Sequence, residues 1–215
     1  MAKKNEIVDT FDARQLHLSN RFTRAVDYAR VLHIERRKGT DVPFMAHLLG
    51  VAALVMGEAG HSDVTEDMII AAVLHDAAED HGGQLRLDDI EHNFGSDVAR
   101  MVEALSDSLT ADASKKAPWQ ERKEEYLKRL RREPADVQLI SAADKLYNAR
   151  SILDDYRKIG PEVWRRFKRG RKHQLWYFRE LLKVFKASGK NRIVAELERV
   201  TDKLERISAG EKAKG

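Results

Sequence analysis

The stretch Ile69-Ile70-Ala71-Ala72-Val73-Leu74-His75-Asp76-Ala77-Ala78-Glu79-Asp80 constrains the fold most, because an apolar run ends in four ionisable groups. At helical spacing His75 and Glu79 lie four apart, as do Asp76 and Asp80, so all four are expected to project from one end of a single helix. Such charges are prohibitively costly in a core without partners. Either this helix end faces water or something positive sits there, and a divalent metal is the natural candidate.

Apolar residues recur three and four apart through most of the 215 residues, and no strand-like alternation interrupts them. The expected fold is all-α, a single-domain helical bundle of ordinary size. We expect an N-terminal extension at 1–18, one domain over 19–208 and a disordered tail at 209–215. With no cysteine, disulfides and thiolate metal sites are excluded, and any metal must be held by His, Asp, Glu or backbone oxygen. The start lacks a signal-peptide pattern and no run approaches the roughly 18 apolar residues of a membrane span. These features lead us to expect a soluble, cytoplasmic protein without membrane contact.

Along the chain, Phe22, Ala25, Val26, Ala29 and Leu32 mark a first helix capped by Ser19 or Asn20 and running to about Arg36. A second helix is expected over Phe44 to Ala59, with Leu48, Val51, Ala52 and Val55 buried. Residues Ser62 to Asp67 cap the third helix, and Gly82-Gly83 stop it. A short helix over Leu87 to Phe94 and one capped by Ser96 look like packing elements. Thr110 to Pro118 reads as a connector or as a mobile loop near a site. A charged surface helix from Trp119 to Arg132 precedes a long apolar helix that starts after Pro134 and ends at Gly160-Pro161. Two or three more helices follow, the last from about Asn191 to Ile207.

Several polar residues have both a plain and a functional reading. His47 lies beside a buried stripe, where a hydrogen-bonded boundary histidine is the usual case and a metal ligand the sharper one. Asp144, in the apolar helix and four residues before Asn148, either pairs with a core cation or ligates a metal. Arg37 and Lys38, in a turn before Pro43, form a solvated loop or a phosphate clamp. Between Arg157 and Arg192 basic residues greatly outnumber the two acids, Glu162 and Glu180. That run reads as a solvated face or as a surface attracting phosphate-rich ligands or nucleic acid.

Together, His47, the His75-Asp76 doublet and Asp144 resemble the metal-dependent phosphohydrolases of the HD superfamily, in which a His, a His-Asp pair and a distant Asp converge inside a helical bundle. Within that superfamily, three segments are similar to the hydrolase domain of the RelA/SpoT alarmone enzymes and the stand-alone small alarmone hydrolases. They are Arg37-Lys38 leading through Pro43-Phe44 to His47, the box His75-Asp76-Ala77-Ala78-Glu79-Asp80, and Asp144-Lys145-Leu146-Tyr147-Asn148. In this last segment the family's Asp-Arg-Leu-His-Asn appears as Asp-Lys-Leu-Tyr-Asn, closer to the stand-alone enzymes. No synthetase or regulatory segment follows, so synthesis of the alarmone is not expected.

The resemblance implies hydrolysis of guanosine tetra- or pentaphosphate, with release of the 3′-pyrophosphate and help from manganese or another divalent cation. It implies His47, His75, Asp76 and Asp144 as metal ligands, with the ion acting as Lewis acid and source of the hydroxide nucleophile. Glu79 and Asp80 are then the catalytic pair that handles water, and Arg37, Lys38 and Asn148 bind substrate. The expected partner is a small-molecule nucleotide, and oligomeric state has no signature in the sequence. Two alternatives stand beside this: hydrolysis of a different nucleotide, such as an adenosine alarmone, a nucleoside monophosphate or a cyclic dinucleotide, and a weaker non-enzyme reading as a basic RNA-binding or scaffold protein.

Overall fold

Ser19 opens the first helix as its pattern requires: its hydroxyl accepts the Arg21 N–H, and Glu66 accepts from both the Ser19 backbone N–H and hydroxyl. A computed structural model describes residues 16–110, 112–189 and 191–209. Most of the expected N-terminal extension, 1–15, and the tail from 210 onward lie outside the described residues. Leu16 and Leu18, placed in the extension by sequence, pack partly buried against the core.

The regular elements are α1 (Asn20–Leu32), α2 (Met45–Met56), α3 (Glu66–Leu74), α4 (Ala77–Asp80), α5 (Gln84–Phe94), α6 (Ser96–Leu105), α7 (Trp119–Leu130), α8 (Ala135–Ile159), α9 (Gly170–Ala187) and α10 (Arg192–Ala209), with short 3-10 turns at Ala113–Lys115 and Gly160–Arg166. The all-helical expectation holds. Among the described residues, one antiparallel bridge, Arg36 to Pro43, lies outside these helices. None of the helices is long and apolar enough to cross a membrane.

Helix α2 ends at Met56, short of the expected Ala59, α5 starts at Gln84, ahead of the expected Leu87, and three further boundaries move for local reasons. The first helix stops at Leu32, not near Arg36, because His33 leaves helical geometry and its side chain turns to Glu35. Ser96 lies inside α6, and Gly95 is the residue that precedes it. The third helix does not run on to Asp80: α3 ends at Leu74, His75 and Asp76 form a break, and α4 resumes with the Asp80 N–H on the Asp76 carbonyl. On an unbroken helix neighbouring side chains diverge by about 100°. At the junction both residues keep near-helical backbone angles, and their side chains bend toward each other until the Nε2 and Oδ2 atoms are 3.2 Å apart.

Helix α3 is buried from Met68 to Leu74, which its nearly uniform apolarity demands. It packs against α1, α2, α6 and α8. Helix α8, 25 residues long, also packs on α2, α6, α9 and α10, so its residues 137–144 lie in the middle of the molecule. The charged helix α7 buries Tyr126, Leu127 and Leu130, and the Tyr126 hydroxyl meets Ser141 of α8 at 2.9 Å.

Helices α2 and α8 approach closely at Gly50. A Cβ there would sit 2.1 Å from a Tyr147 ring carbon, and that ring packs edge-on against His47 with centroids 5.0 Å apart. Gly50→Ala must push the ring aside and should destabilise the protein by about 1–3 kcal/mol in urea titrations. A midpoint equal to wild type would contradict this packing.

Candidate functional site

Helix α2 presents His47 on its buried side, the α3–α4 break presents His75 and Asp76, and α8 presents Asp144. Their donor atoms converge. The Nε2 atoms of His47 and His75 are 3.2 Å apart, and His47 Nε2 lies 3.4 Å from carboxylate oxygens of both Asp76 and Asp144. His75 Nε2 is 3.8 Å from the same Asp144 oxygen. His75 Nδ1 donates to the Ala72 carbonyl at 2.8 Å, which leaves the Nε2 lone pair of the neutral ring aimed at the centre.

The His47 and His75 nitrogens and one Asp144 oxygen lie 3.2–3.8 Å from one another, and an Asp76 oxygen lies 3.2–3.4 Å from both nitrogens, close to the spacing of about 3–3.5 Å between neighbouring ligands whose bonds to one divalent cation are about 2.0–2.4 Å. The donor set therefore fits a borderline-to-hard metal ion. His47, His75 and Asp144 are buried, while Asp76 keeps about a quarter of its side chain (27%) open to solvent. Access is from the Asp76 side.

Without an ion the four groups compensate one another. Burial opposes charge on His75, but the Asp76 and Asp144 carboxylates raise it to about 9. His47 is lowered, chiefly by burial. Burial also opposes charge on Asp76 and Asp144, yet His75 and His47 hold Asp76 well below its usual value, and Lys145 leads the groups that hold Asp144 low. Lys145 donates to Asp144 Oδ2, which meets the ion-pair reading of Asp144 at that oxygen, while Oδ1 faces His47 and His75.

The Oδ1 atom of Asp144 begins a second chain. Asn148 Nδ2 donates to it, and the Asn148 carbonyl oxygen accepts from the Arg37 guanidinium. That guanidinium lies 5.5 Å over the Phe44 ring, whose edge meets His47. The loop carrying Arg37 and Lys38 is tied at both ends: Arg37 N–H donates to Val42, and Phe44 N–H to Glu35. At its tip Gly39 has φ +71° and sits against Arg166, leaving no room for a Cβ.

Beyond this chain opens a cleft of about 490 Å³ whose cations are Arg37, Lys38, Lys123, Lys145, Lys158 and Arg166, with Phe44, Trp119 and Tyr147 as aromatic wall. Part of the basic run from Arg157 on turns elsewhere, into ion pairs such as Arg179 with Asp202 and Glu205, and Lys186 with Glu198. Lys158 and Arg166 are its members that line the cleft.

Glu79 and Asp80 are not grouped with the four converging residues. Glu79 turns toward the segment after α6 and accepts the Asp107 backbone N–H at 2.9 Å. Burial, then the adjacent Asp107 charge, raises its carboxyl to about 8. Asp107 stays ionised against the cost of burial because Lys123 and Arg122 both bind it. Asp80 is exposed, and its carboxyl is raised by desolvation and then by Asp76, an effect that exposure moderates. Lys116, from the Thr110 to Pro118 segment, donates to the Glu79 carbonyl at 3.2 Å, so that segment does lie against the site.

Sequence reasoning missed Lys145, Tyr147 and Phe44 as parts of the site, along with the Asp107, Arg122 and Lys123 group behind Glu79. A mid-helix glycine three residues after His47 was the available signal for Tyr147, since glycine there costs about 1 kcal/mol unless close packing needs it.

The profile of the HD domain family matches residues 25–172. The chain is 35% identical over 142 residues to the human protein named guanosine-3′,5′-bis(diphosphate) 3′-pyrophosphohydrolase MESH1, covering 65% of this chain and 72% of that one. A solved structure described as a metazoan ortholog of SpoT that hydrolyzes ppGpp and plays a role in starvation responses superposes with a TM-score of 0.66 at 26% identity, over 89% of this chain and 97% of the other. The crystal structure of lmo0812 from Listeria monocytogenes EGD-e gives a TM-score of 0.63 at 27% identity, over 74% of this chain and 99% of that one.

The charge balance fixes how the metal-free chain responds to pH. His75, near 9 when folded and 6.5 when unfolded, stabilises the fold fully below pH 6.5 and loses that contribution as pH rises through 9. Glu79, about 8 against 4.5, loses its contribution between pH 4.5 and 8, in the same direction. Unfolding free energy of the chelator-treated protein should fall by on the order of 2–4 kcal/mol between pH 6.5 and 9. Saturating divalent metal should remove the His75 part of the decline, because ligation needs unprotonated imidazoles. A flat metal-free profile would contradict the charge assignment.

Proposed function

The chain belongs to the HD domain family, and from that premise we propose that it hydrolyses guanosine 3′,5′-bis(diphosphate) and related alarmones, releasing the 3′-pyrophosphate. One observation carries this beyond a generic metal centre. The Asp144–Asn148–Arg37 chain leads from the converging ligands directly into a cation-lined cleft with aromatic walls, which suits a nucleotide bearing several phosphates. The human relative's name and the solved SpoT ortholog support the same substrate.

In this reading His47, His75 and Asp144 hold the ion and Asp76, 3.2–3.4 Å from both imidazole nitrogens, joins them; we take the ion to be manganese because the set mixes imidazole and carboxylate donors. A bound divalent ion supplies Lewis acidity toward a phosphoryl oxygen and lowers the pKa of water. Arg37 and Lys38 neutralise the departing pyrophosphate, and the stacking of Arg37 on Phe44 orients its guanidinium beforehand. Asn148 has spent one N–H on Asp144 and one lone pair on Arg37, so one of each remains for the nucleoside. Asp80 and Glu79 move the proton of the attacking water. Glu79 is the half-buried, proton-holding member and Asp80 the exposed one beside Asp76.

Purified protein incubated with manganese and guanosine 3′,5′-bis(diphosphate) should release pyrophosphate. Orthophosphate in its place would transfer the chain to a nucleotidase reading, and no product would sink the proposal. Asp144→Ala should abolish turnover while circular dichroism still reports a helical fold; full activity would remove Asp144 from the site. Glu79→Gln should retain the metal and lower kcat by about 10²-fold or more, whereas loss of metal would make Glu79 a ligand. Arg37→Ala should cut kcat/KM by about tenfold or more, and unchanged kinetics would return its loop to solvent.

A further inference from the structure

A second convergence of metal-ligating atoms lies across Phe44 from the first. His33 leaves the end of α1, Glu35 begins the loop that carries Arg37, and His81 follows α4. His33 Nδ1 is 2.9 Å from Glu35 Oε1 and 3.2 Å from His81 Nε2, and His81 Nε2 is 3.5 Å from the same Glu35 oxygen. The three atoms form a triangle with edges of 2.9–3.5 Å.

Hydrogen bonding alone serves this triangle poorly. His33 Nδ1 has either one proton or one lone pair to offer, yet it faces an acceptor oxygen and a second ring nitrogen at once. A metal ion takes one lone pair from each of the three atoms. With Zn–N and Zn–O bonds of about 2.0–2.2 Å, ligands of a tetrahedral ion lie about 3.3–3.5 Å apart, close to the observed edges.

The donors are also held in place. The His33 side chain is wholly buried, stacked on Phe44 with centroids 4.9 Å apart and perpendicular to the His81 ring at 4.5 Å. The Glu35 carbonyl accepts from Phe44, and His81 is fixed by its N–H on Ala77 and by Arg86 on its carbonyl. Glu35 and His81 keep 39% and 30% of their side chains exposed. An ion can therefore enter from solvent, and water can complete its fourth position.

We propose that His33 Nδ1, Glu35 Oε1 and His81 Nε2 form a second metal site, separate from the His47, His75, Asp76 and Asp144 centre, that takes a zinc-class divalent cation. The ion joins the end of α1, the start of the Arg37-Lys38 loop and the end of the Glu79-Asp80 helix. It acts as a clamp on the rim of the cleft and has no part in the bond-breaking step. The inference rests on local geometry and does not depend on the substrate proposed above.

The test is a metal count on the full chain. Protein stripped with chelator, reloaded with zinc chloride and passed through gel filtration should carry two zinc equivalents by mass spectrometry. His81→Ala should carry one, Asp144→Ala the other one, and the double variant none, each with wild-type helical circular dichroism. Glu35→Gln, a change at an exposed and nearly isosteric position, should weaken one of the two zinc affinities at least tenfold in competition with a chromophoric chelator. Two equivalents retained by His81→Ala, or an unchanged affinity in Glu35→Gln, would overturn the second site. A wild-type protein with one equivalent that Asp144→Ala removes would also overturn it. One equivalent lost in His81→Ala would uphold it and would count instead against the first centre.

Discussion

Two imidazoles and two carboxylates meet, three of them dry, where α2, the α3–α4 break and α8 come together. The rest of the structure depends on how those charges are balanced. Lone charges in such a place would cost several kcal/mol each. Without an ion, the proton on His75 and the ammonium of Lys145 offset Asp76 and Asp144. A divalent cation bound among the same carboxylates would take the place of the His75 proton, and the charges would again be compensated.

The surrounding architecture follows from that centre. The adjacent side chains of His75 and Asp76, at the junction of α3 and α4, reach one point. Asp144 works in two directions, holding Lys145 through one oxygen and Asn148 through the other, and Asn148 passes the geometry to Arg37. Phe44 stands between the two histidine clusters, stacked on His33 and edge-on to His47, with Arg37 above its ring. The loop carrying Arg37 and Lys38 is thus positioned from the His47 cluster on one side and from the His33 cluster on the other.

Much of this was legible in the sequence where the signal was local. Ser19, Thr65, Gly82-Gly83 and Gly160-Pro161 mark element ends through capping and chain-breaking chemistry, and the apolar periodicity gives the helices. The four converging residues stood out because ionisable groups in apolar runs need partners. The course of residues 33–36 and the break at 75–76 did not, since both are set by where side chains find partners and the backbone at 75–76 stays near helical angles. Glu79 turns to Asp107, 28 residues away, and His81 meets His33 across 48. No spacing rule reports such pairs. Tyr147 and Gly50 were visible individually, but their contact exists only once α2 packs on α8.

The central claim is that the four residues form one cation site between three helical segments. Crystals of the manganese-loaded protein, measured at the manganese absorption edge, test it most directly. The account predicts an anomalous peak within bonding distance of His47 Nε2, His75 Nε2 and oxygens of Asp76 and Asp144. An occupied manganese position elsewhere, with those four side chains still in mutual contact around a peak-free centre, would contradict it.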